Sequence, residues 1–147
     1  MGYEVSIPYG NGAKYDFIVD LDGKFLRVQC KSSSNPSISG NPGKYDTSAI
    51  QFSASSQTTN TQKTVRHTYS KEQIDYFATW YNNQVYLIPV EECSVSKTLR
   101  FSPPKNNSSK YNKAEDYEIE KVIPISQELL KSKEDFENRR EQSILEN

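Results

Sequence analysis

One histidine, His67, and two cysteines, Cys30 and Cys93, are spread over 147 residues. A four-ligand zinc site cannot be assembled from that supply of Cys and His in one chain. The cysteines fall inside apparent strands rather than at disulfide-framework spacings, so reduced, buried thiols in a cytoplasmic protein are expected. Long apolar runs are also missing. The longest, "VYLIPV", is far short of the roughly 20 residues that cross a bilayer, and no membrane partner is expected. The opening "MGYEVSIP" has neither a basic leader nor a long apolar segment, which argues against secretion. Hydrophobic residues make up 34% of the chain, enough for one domain's core with much loop and solvated surface around it.

Acidic residues are missing locally. Residues 1–114 carry 13 Lys/Arg against 9 Asp/Glu, while residues 115–147 carry 5 against 10. Between Asp22 and Asp46 the charges are Lys24, Arg27, Lys31 and Lys44; between Asp46 and Glu72 they are Lys63, Arg66 and Lys71, with His67 among them. A third acid-free stretch holds Lys97, Arg100, Lys105, Lys110 and Lys113. A polyanion-facing surface needs such stretches, because a carboxylate among the cations would repel phosphates. Ordinary solvated loops produce them as well.

What is present is mostly strand pattern. "YEVSIP" alternates and ends at Pro8; residues 15–20 and 24–31 form a hairpin around "DLDG". Residues 32–43, "SSSNPSISGNPG", read as a long flexible connection, and "SAIQFSA" as a half-buried strand. "SSQTTNTQKT" is too polar to pack and is expected to be mobile. "IDYFATWY" and "QVYLIPV" make a second hairpin with Asn82-Asn83 at its turn, and Ser70 is placed to cap a short helical turn before it. Tyr76, Phe77, Trp80, Tyr86 and Leu87 alternate as core or subunit-packing residues. "TLRFSPP" is a short edge strand. Ser126 then caps a helix over 126–147, so residues 1–125 are the core of an α+β domain and 126–147 its C-terminal helical segment.

Strand alternation places Leu26, Val28 and Cys30 on one face, which belongs in a core. Phe25, Arg27, Gln29 and Lys31 share the other face, and the hairpin register brings Asp16 opposite the Gln29–Lys31 end. Two readings fit. One is a surface hairpin with an Asp–Lys ion pair. The other is a site for a hard divalent cation, such as Mg2+, which takes oxygen ligands and keeps several waters. Such a cation and a nearby lysine together suit phosphodiester cleavage.

"YD…VQCK" resembles the PD-(D/E)XK nuclease motif, a strand-borne Asp followed across a hairpin by (D/E/Q)-x-K. The ordered blocks "GYEVSIP", "KYDFIVD", "LRVQCKS", "IDYFATWYNNQVYLIPV", "LRFSPPKNN" and "AEDYE" are similar to the group I intron-associated PD-(D/E)XK endonucleases, over roughly residues 2–120. That resemblance implies a restriction-endonuclease-like mixed β-sheet flanked by helices. It implies a sequence-specific, Mg2+-dependent endonuclease cutting both strands of double-stranded DNA, of the intron-homing kind. Asp16, Gln29 and Lys31 would be catalytic, with Asp16, Gln29 and the carbonyl of Cys30 on the metal. Lys14, Ser32, Lys44, Lys63 and Arg66 are the expected DNA contacts. Two cuts require two sites, so a homo-oligomer, dimer or tetramer, is expected.

The family's usual opening helix, with a Glu that completes the metal site, precedes "Gly-Tyr-x-Val"; here the sequence opens at Met1-Gly2-Tyr3, so that helix is expected to be missing. A DNA-binding protein with a degenerate site and a nuclease of the Holliday-junction-resolvase type are the alternatives that these residues leave open.

Overall fold

Two tight turns set the framework. In the computed structural model, which describes residues 3–124 except Asn11, Asn60, Gln62, Asn106, Asn107 and Ser109, strands β2 (Phe17–Leu21) and β3 (Lys24–Cys30) are joined by Asp22 and Gly23, both at positive φ. The Asp20 carboxylate accepts the Gly23 N–H at 2.8 Å and closes that turn. Strands β8 (Tyr76–Tyr81) and β9 (Gln84–Pro89) are joined the same way by Asn82 and Asn83, at φ 48° and 60°. Left-handed pairs of this kind match the twist of a two-residue hairpin.

These hairpins pair through β3 and β8, which run parallel, and β1 (Glu4–Ser6) adds antiparallel to β2. The resulting mixed sheet has the order β1-β2-β3-β8-β9. Parallel neighbours require a crossover. Here it carries strands β4 (Ser33–Ser34), β5 (Ala49–Ser53), β6 (Ser55–Thr59) and β7 (Thr64–Thr68). A second sheet, β10-β5-β4, uses β10 (Ser96–Arg100) as one edge, as "TLRFSPP" suggests. Strands β6 and β7 form a separate two-stranded ribbon.

Period-two alternation then builds two core layers. Ile50, Phe52 and Leu99 of the second sheet pack with Phe77, Tyr86 and Ile88 of the first, with Ile74 and Val90 at the margin. The opposite face of the main sheet buries Val19, Leu26, Val28, Ala78 and Leu87 against Ile119 and Ile123, around the short helix α1 (Ile119–Val122). Tyr3 Oη donates to the Ile123 carbonyl at 2.9 Å and ties the first strand to that cover.

Among the described residues, helix is confined to α1 and two 3-10 turns, Val90–Glu92 and Ala114–Tyr117. The expected helix over 126–147 lies outside the described residues, as does most of that boundary. No helix among the described residues is long and apolar enough to cross a membrane.

Several expectations need correction. The polar tract after Ala54 is an antiparallel ribbon, held by a ladder from Ser55↔Thr68 to Thr59↔Thr64; backbone pairing satisfies a segment whose side chains bury little. Cys30, expected in the core, is exposed, because it ends β3 beyond the cover of α1 and lines an open cleft of about 390 Å3 with Phe17, Ala78, Trp80 and Val85. Of the residues read as core or subunit packing, Phe77, Tyr86 and Leu87 are buried, whereas Trp80 is 62% exposed at the far end of β8. The connection 32–43 is partly structured too, by β4 and a Ser37↔Tyr45 bridge.

Candidate active site

Phe17 pairs with Val28, so Asp16, one residue before β2, stands opposite Gln29. Its backbone N–H donates to the Val28 carbonyl at 2.8 Å, which fixes the carboxylate against the end of β3. Asp16 Oδ2 accepts two hydrogen bonds, from Gln29 Nε2 at 2.5 Å and from the Cys30 backbone N–H at 2.6 Å. Gln29 Nε2 also lies 3.4 Å from the Cys30 carbonyl oxygen. A partly positive amide thus sits between a carboxylate and a carbonyl.

Lys31 directly follows β3, and alternation sets it on the face of Gln29, which pairs with Phe77. Its backbone is pinned on both sides: the N–H donates to the Ala78 carbonyl at 2.8 Å, and its carbonyl accepts Thr79 Oγ1 at 2.8 Å. The half-buried side chain does not pair with Asp16. Its Nζ donates to the Ser55 carbonyl at 3.2 Å and lies 5.0 Å from the centre of the Tyr69 ring. Tyr69 is in turn held edge-on against Phe77, centroids 5.4 Å apart. The ion-pair reading of the hairpin therefore gives way to a carboxylate bonded to an amide, with the ammonium seated separately on Ser55 and Tyr69.

Nothing in the sequence marks Ser55 and Tyr69 as site residues. Ser55 acts through its backbone, and both are distant in sequence from Lys31. Arg27 also faces this side, but it is committed elsewhere. Its backbone N–H, Nε and Nη2 donate to the Asp75 carboxylate at 2.8, 3.0 and 3.1 Å, and its guanidinium reaches the carbonyls of Lys71 and Glu72. Burial pushes the Asp75 carboxyl up, but the Arg27 hydrogen bonds and charge outweigh it and hold the group below its usual range. The network staples the 70–75 turn to the strand that bears Gln29 and Lys31.

The expected DNA contacts are dispersed. Lys14 shares a cleft of about 230 Å3 with Ser56, Thr58, His67, Thr68, Tyr69 and Gln73, beside the Lys31 ammonium. Ser32 lines a larger open hollow with Lys31, Ser33 and the Trp80–Asn83 turn. Arg66 is on β7, with Lys63 just before it, and Lys44 closes an exposed turn onto the Asn41 carbonyl. The charge pattern overstated the cations available to phosphate. Lys97 is buried against Glu92 at 3.2 Å, and Arg100 pairs with Asp46 at 3.1 Å. Partial burial, with the Asp16 charge nearby, raises the Cys30 thiol, and burial pushes Cys93 up to about 11. Both therefore stay protonated at neutral pH.

A family model described as PD-(D/E)XK endonuclease matches residues 1–120. The chain belongs to the PD-(D/E)XK endonuclease family. A solved structure of a bacterial homing endonuclease, I-Ssp6803I, superposes with a TM-score of 0.59, covering 80% of this chain and 75% of that one at 22% identity. That likeness shows the fold. Among curated proteins nothing matches. Family membership makes this a nuclease domain whose substrate is DNA, and nucleases of this family typically use a divalent metal.

The donor set fits such a metal. Among the described residues no three His, Cys, Asp or Glu side chains gather, so a soft or all-carboxylate site is not what the residues offer. They offer hard oxygens: the Asp16 carboxylate and the Cys30 carbonyl, already arranged about the partly positive Gln29 Nε2, and the Gln29 amide oxygen beside them. The Gln29 nitrogen, rather than its oxygen, faces Asp16; a half-turn about the last torsion, which is soft, exchanges them.

Proposed function

We propose that this chain is an Mg2+-dependent, sequence-specific endonuclease that cuts both strands of duplex DNA, in the manner of intron homing. The observation that carries the reading is the Asp16–Gln29–Cys30 cradle with the Lys31 ammonium held apart from it on the same strand. Asp16, the Gln29 Oε1 and the Cys30 carbonyl would hold Mg2+, a hard ion satisfied by few protein oxygens and several waters. When bound, the ion supplies Lewis acidity, which offsets charge on the phosphate and makes a nearby water more acidic.

The protein's own groups do the rest. Asp16, oriented by the Cys30 N–H, presents an oxygen at a fixed point. Lys31 brings a cation that its aromatic and carbonyl neighbours hold in place, free to donate to a non-bridging phosphate oxygen or to orient the attacking water. Lys14, Ser32, Lys44 and Lys63 would position the backbone without reading sequence, and Arg66 would add a DNA contact from β7. The homing assignment rests on the likeness to a solved bacterial homing endonuclease together with the sequence resemblance. Two cuts per duplex call for two copies of the chain, so a homo-oligomer belongs to the same proposal.

The test is cleavage of supercoiled plasmid carrying diverse inserts, in Mg2+ or EDTA, by the wild type and by Lys31→Ala. Mg2+-dependent linear product that vanishes in the variant supports the proposal. DNA binding without cutting in the wild type would refute it in favour of a degenerate site. Preferential cutting of four-way junctions over linear duplex would favour a resolvase.

A further inference from the structure

The β6–β7 ribbon has no evident structural duty. Ser55 at its root is buried and Ser56 half-buried, but every other residue of both strands is exposed. An isolated two-stranded ribbon with no apolar face is marginal in water, so its presence calls for a partner. Its composition names the class of partner. No Asp or Glu occurs between Asp46 and Glu72, while the ribbon and its turn carry Lys63, Arg66 and His67 among Ser, Thr and Gln.

Register sorts the side chains. Gln57 pairs with Arg66, Ser56 with His67 and Thr58 with Val65. Directly opposite residues project from the same face, so Gln57 and Arg66 stand side by side, followed outward on that face by Thr59 and Thr64. The Thr59 and Thr64 hydroxyls are 3.1 Å apart and close the outer rung. Among the described residues neither the Gln57 amide nor the Arg66 guanidinium is engaged by another protein group. An amide and a guanidinium are the groups that bind adenine and guanine edges bidentately, and a major groove about 12 Å wide admits a two-stranded ribbon.

The opposite face borders the cleft where Lys14, His67 and Tyr69 meet, and the root touches the site directly, since the Ser55 carbonyl accepts Lys31 Nζ at 3.2 Å. We infer that β6–β7 enters the major groove of duplex DNA and that Gln57 and Arg66 read base edges next to the cleaved bond. The inference rests on the nuclease reading for its substrate, and it assigns specificity to two residues that act at bases rather than phosphates.

The test is selection from duplexes carrying 30 random base pairs, in EDTA, by retention on the full chain, followed by sequencing. The wild type, Gln57→Ala, Arg66→Ala and Arg66→Lys are compared, each checked for an unchanged melting temperature. The wild type is expected to enrich a motif. Arg66→Lys, which keeps the charge but loses the fork, should lower discrimination for one G·C position about 10-fold and leave affinity for random duplex unchanged. Gln57→Ala should relax an adjacent position, with a preference for adenine lost. An unchanged motif in both variants overturns the inference. So does a uniform loss of affinity in Arg66→Ala, with a salt slope lower by about one and the motif intact, since that describes a phosphate contact. Because binding and not cutting is read, a wild type that cuts plasmid but enriches no motif overturns this inference while the nuclease reading stands. A chain that enriches the motif but never cuts does the reverse.

Discussion

Replacing Gln29 by Glu separates a metal cradle from a hydrogen-bonded surface pair. In the wild type, Gln29 Nε2 donates to Asp16 Oδ2 at 2.5 Å. Gln29→Glu removes that bond and sets a second carboxylate against the first. Two unit charges at about 4 Å repel by roughly 1 kcal/mol in bulk water and roughly 4 kcal/mol at an effective dielectric of 20. Asp16 is exposed and Gln29 half-buried, so a cost of about 2 kcal/mol is reasonable. For a domain of this size that is a fall in melting temperature of roughly 6–8 °C.

A divalent cation reverses the sign, because it binds the folded pair and stabilises by linkage. The assay is thermal unfolding of both proteins in EDTA and across a Mg2+ series. Gln29→Glu should melt several degrees below the wild type in EDTA, and Mg2+ should raise it by more than it raises the wild type. In acid the deficit should shrink, because two adjacent carboxyls share a proton rather than both ionise. Equal melting temperatures in EDTA, or an equal Mg2+ response, would refute the idea that Asp16 and Gln29 face a common cation.

Asp75→Ala deprives Arg27 of the acceptor for three hydrogen bonds in a partly buried setting and should cost about 2–3 kcal/mol in urea unfolding; a loss below about 0.5 kcal/mol would show the network to be ornamental. Asp46, held low by its Ser48 hydrogen bonds and Arg100, and Asp75 both lie below the ordinary 3.8. Their stabilisation is thus full above that value and lost as pH falls through the folded pKa values, so Asp46→Asn with Asp75→Asn should flatten the acid limb of the stability profile. Tyr69→Leu removes the ring over Lys31 and should lower kcat about 2- to 5-fold with KM little changed, while Tyr69→Phe keeps the ring and the rate. Equal losses in both would transfer the effect to the hydroxyl.

The hairpins, their two-residue turns and the Asp16–Gln29 register were legible because they are local: alternation fixes faces, and "DLDG" and Asn82-Asn83 fix the pairing. The surroundings of Lys31 were not legible. Its ammonium is seated by a backbone carbonyl and a ring that the chain brings back only after the crossover, and neither leaves a mark in composition. The ribbon was misread for a related reason. Polarity correctly reports that side chains bury little, but it does not register backbone hydrogen bonds, which here hold the two strands together. Cys30 shows the limit of alternation, which gives the face of a strand but not where the cover over that face ends.

The ribbon departs from β5 and returns towards β8 inside one crossover, and it reaches the main sheet chiefly at Ser55. Residues beyond that root can therefore be lengthened, shortened or exchanged with little effect on either core layer, since lengthening a surface loop adds only a small closure entropy. The hairpins that carry Asp16, Gln29 and Lys31 have no such freedom, because their turns and faces are fixed by packing. Variation in this architecture is thus confined to one replaceable part. A lineage or an engineer could alter that part repeatedly while the scaffold beneath it goes on folding unchanged.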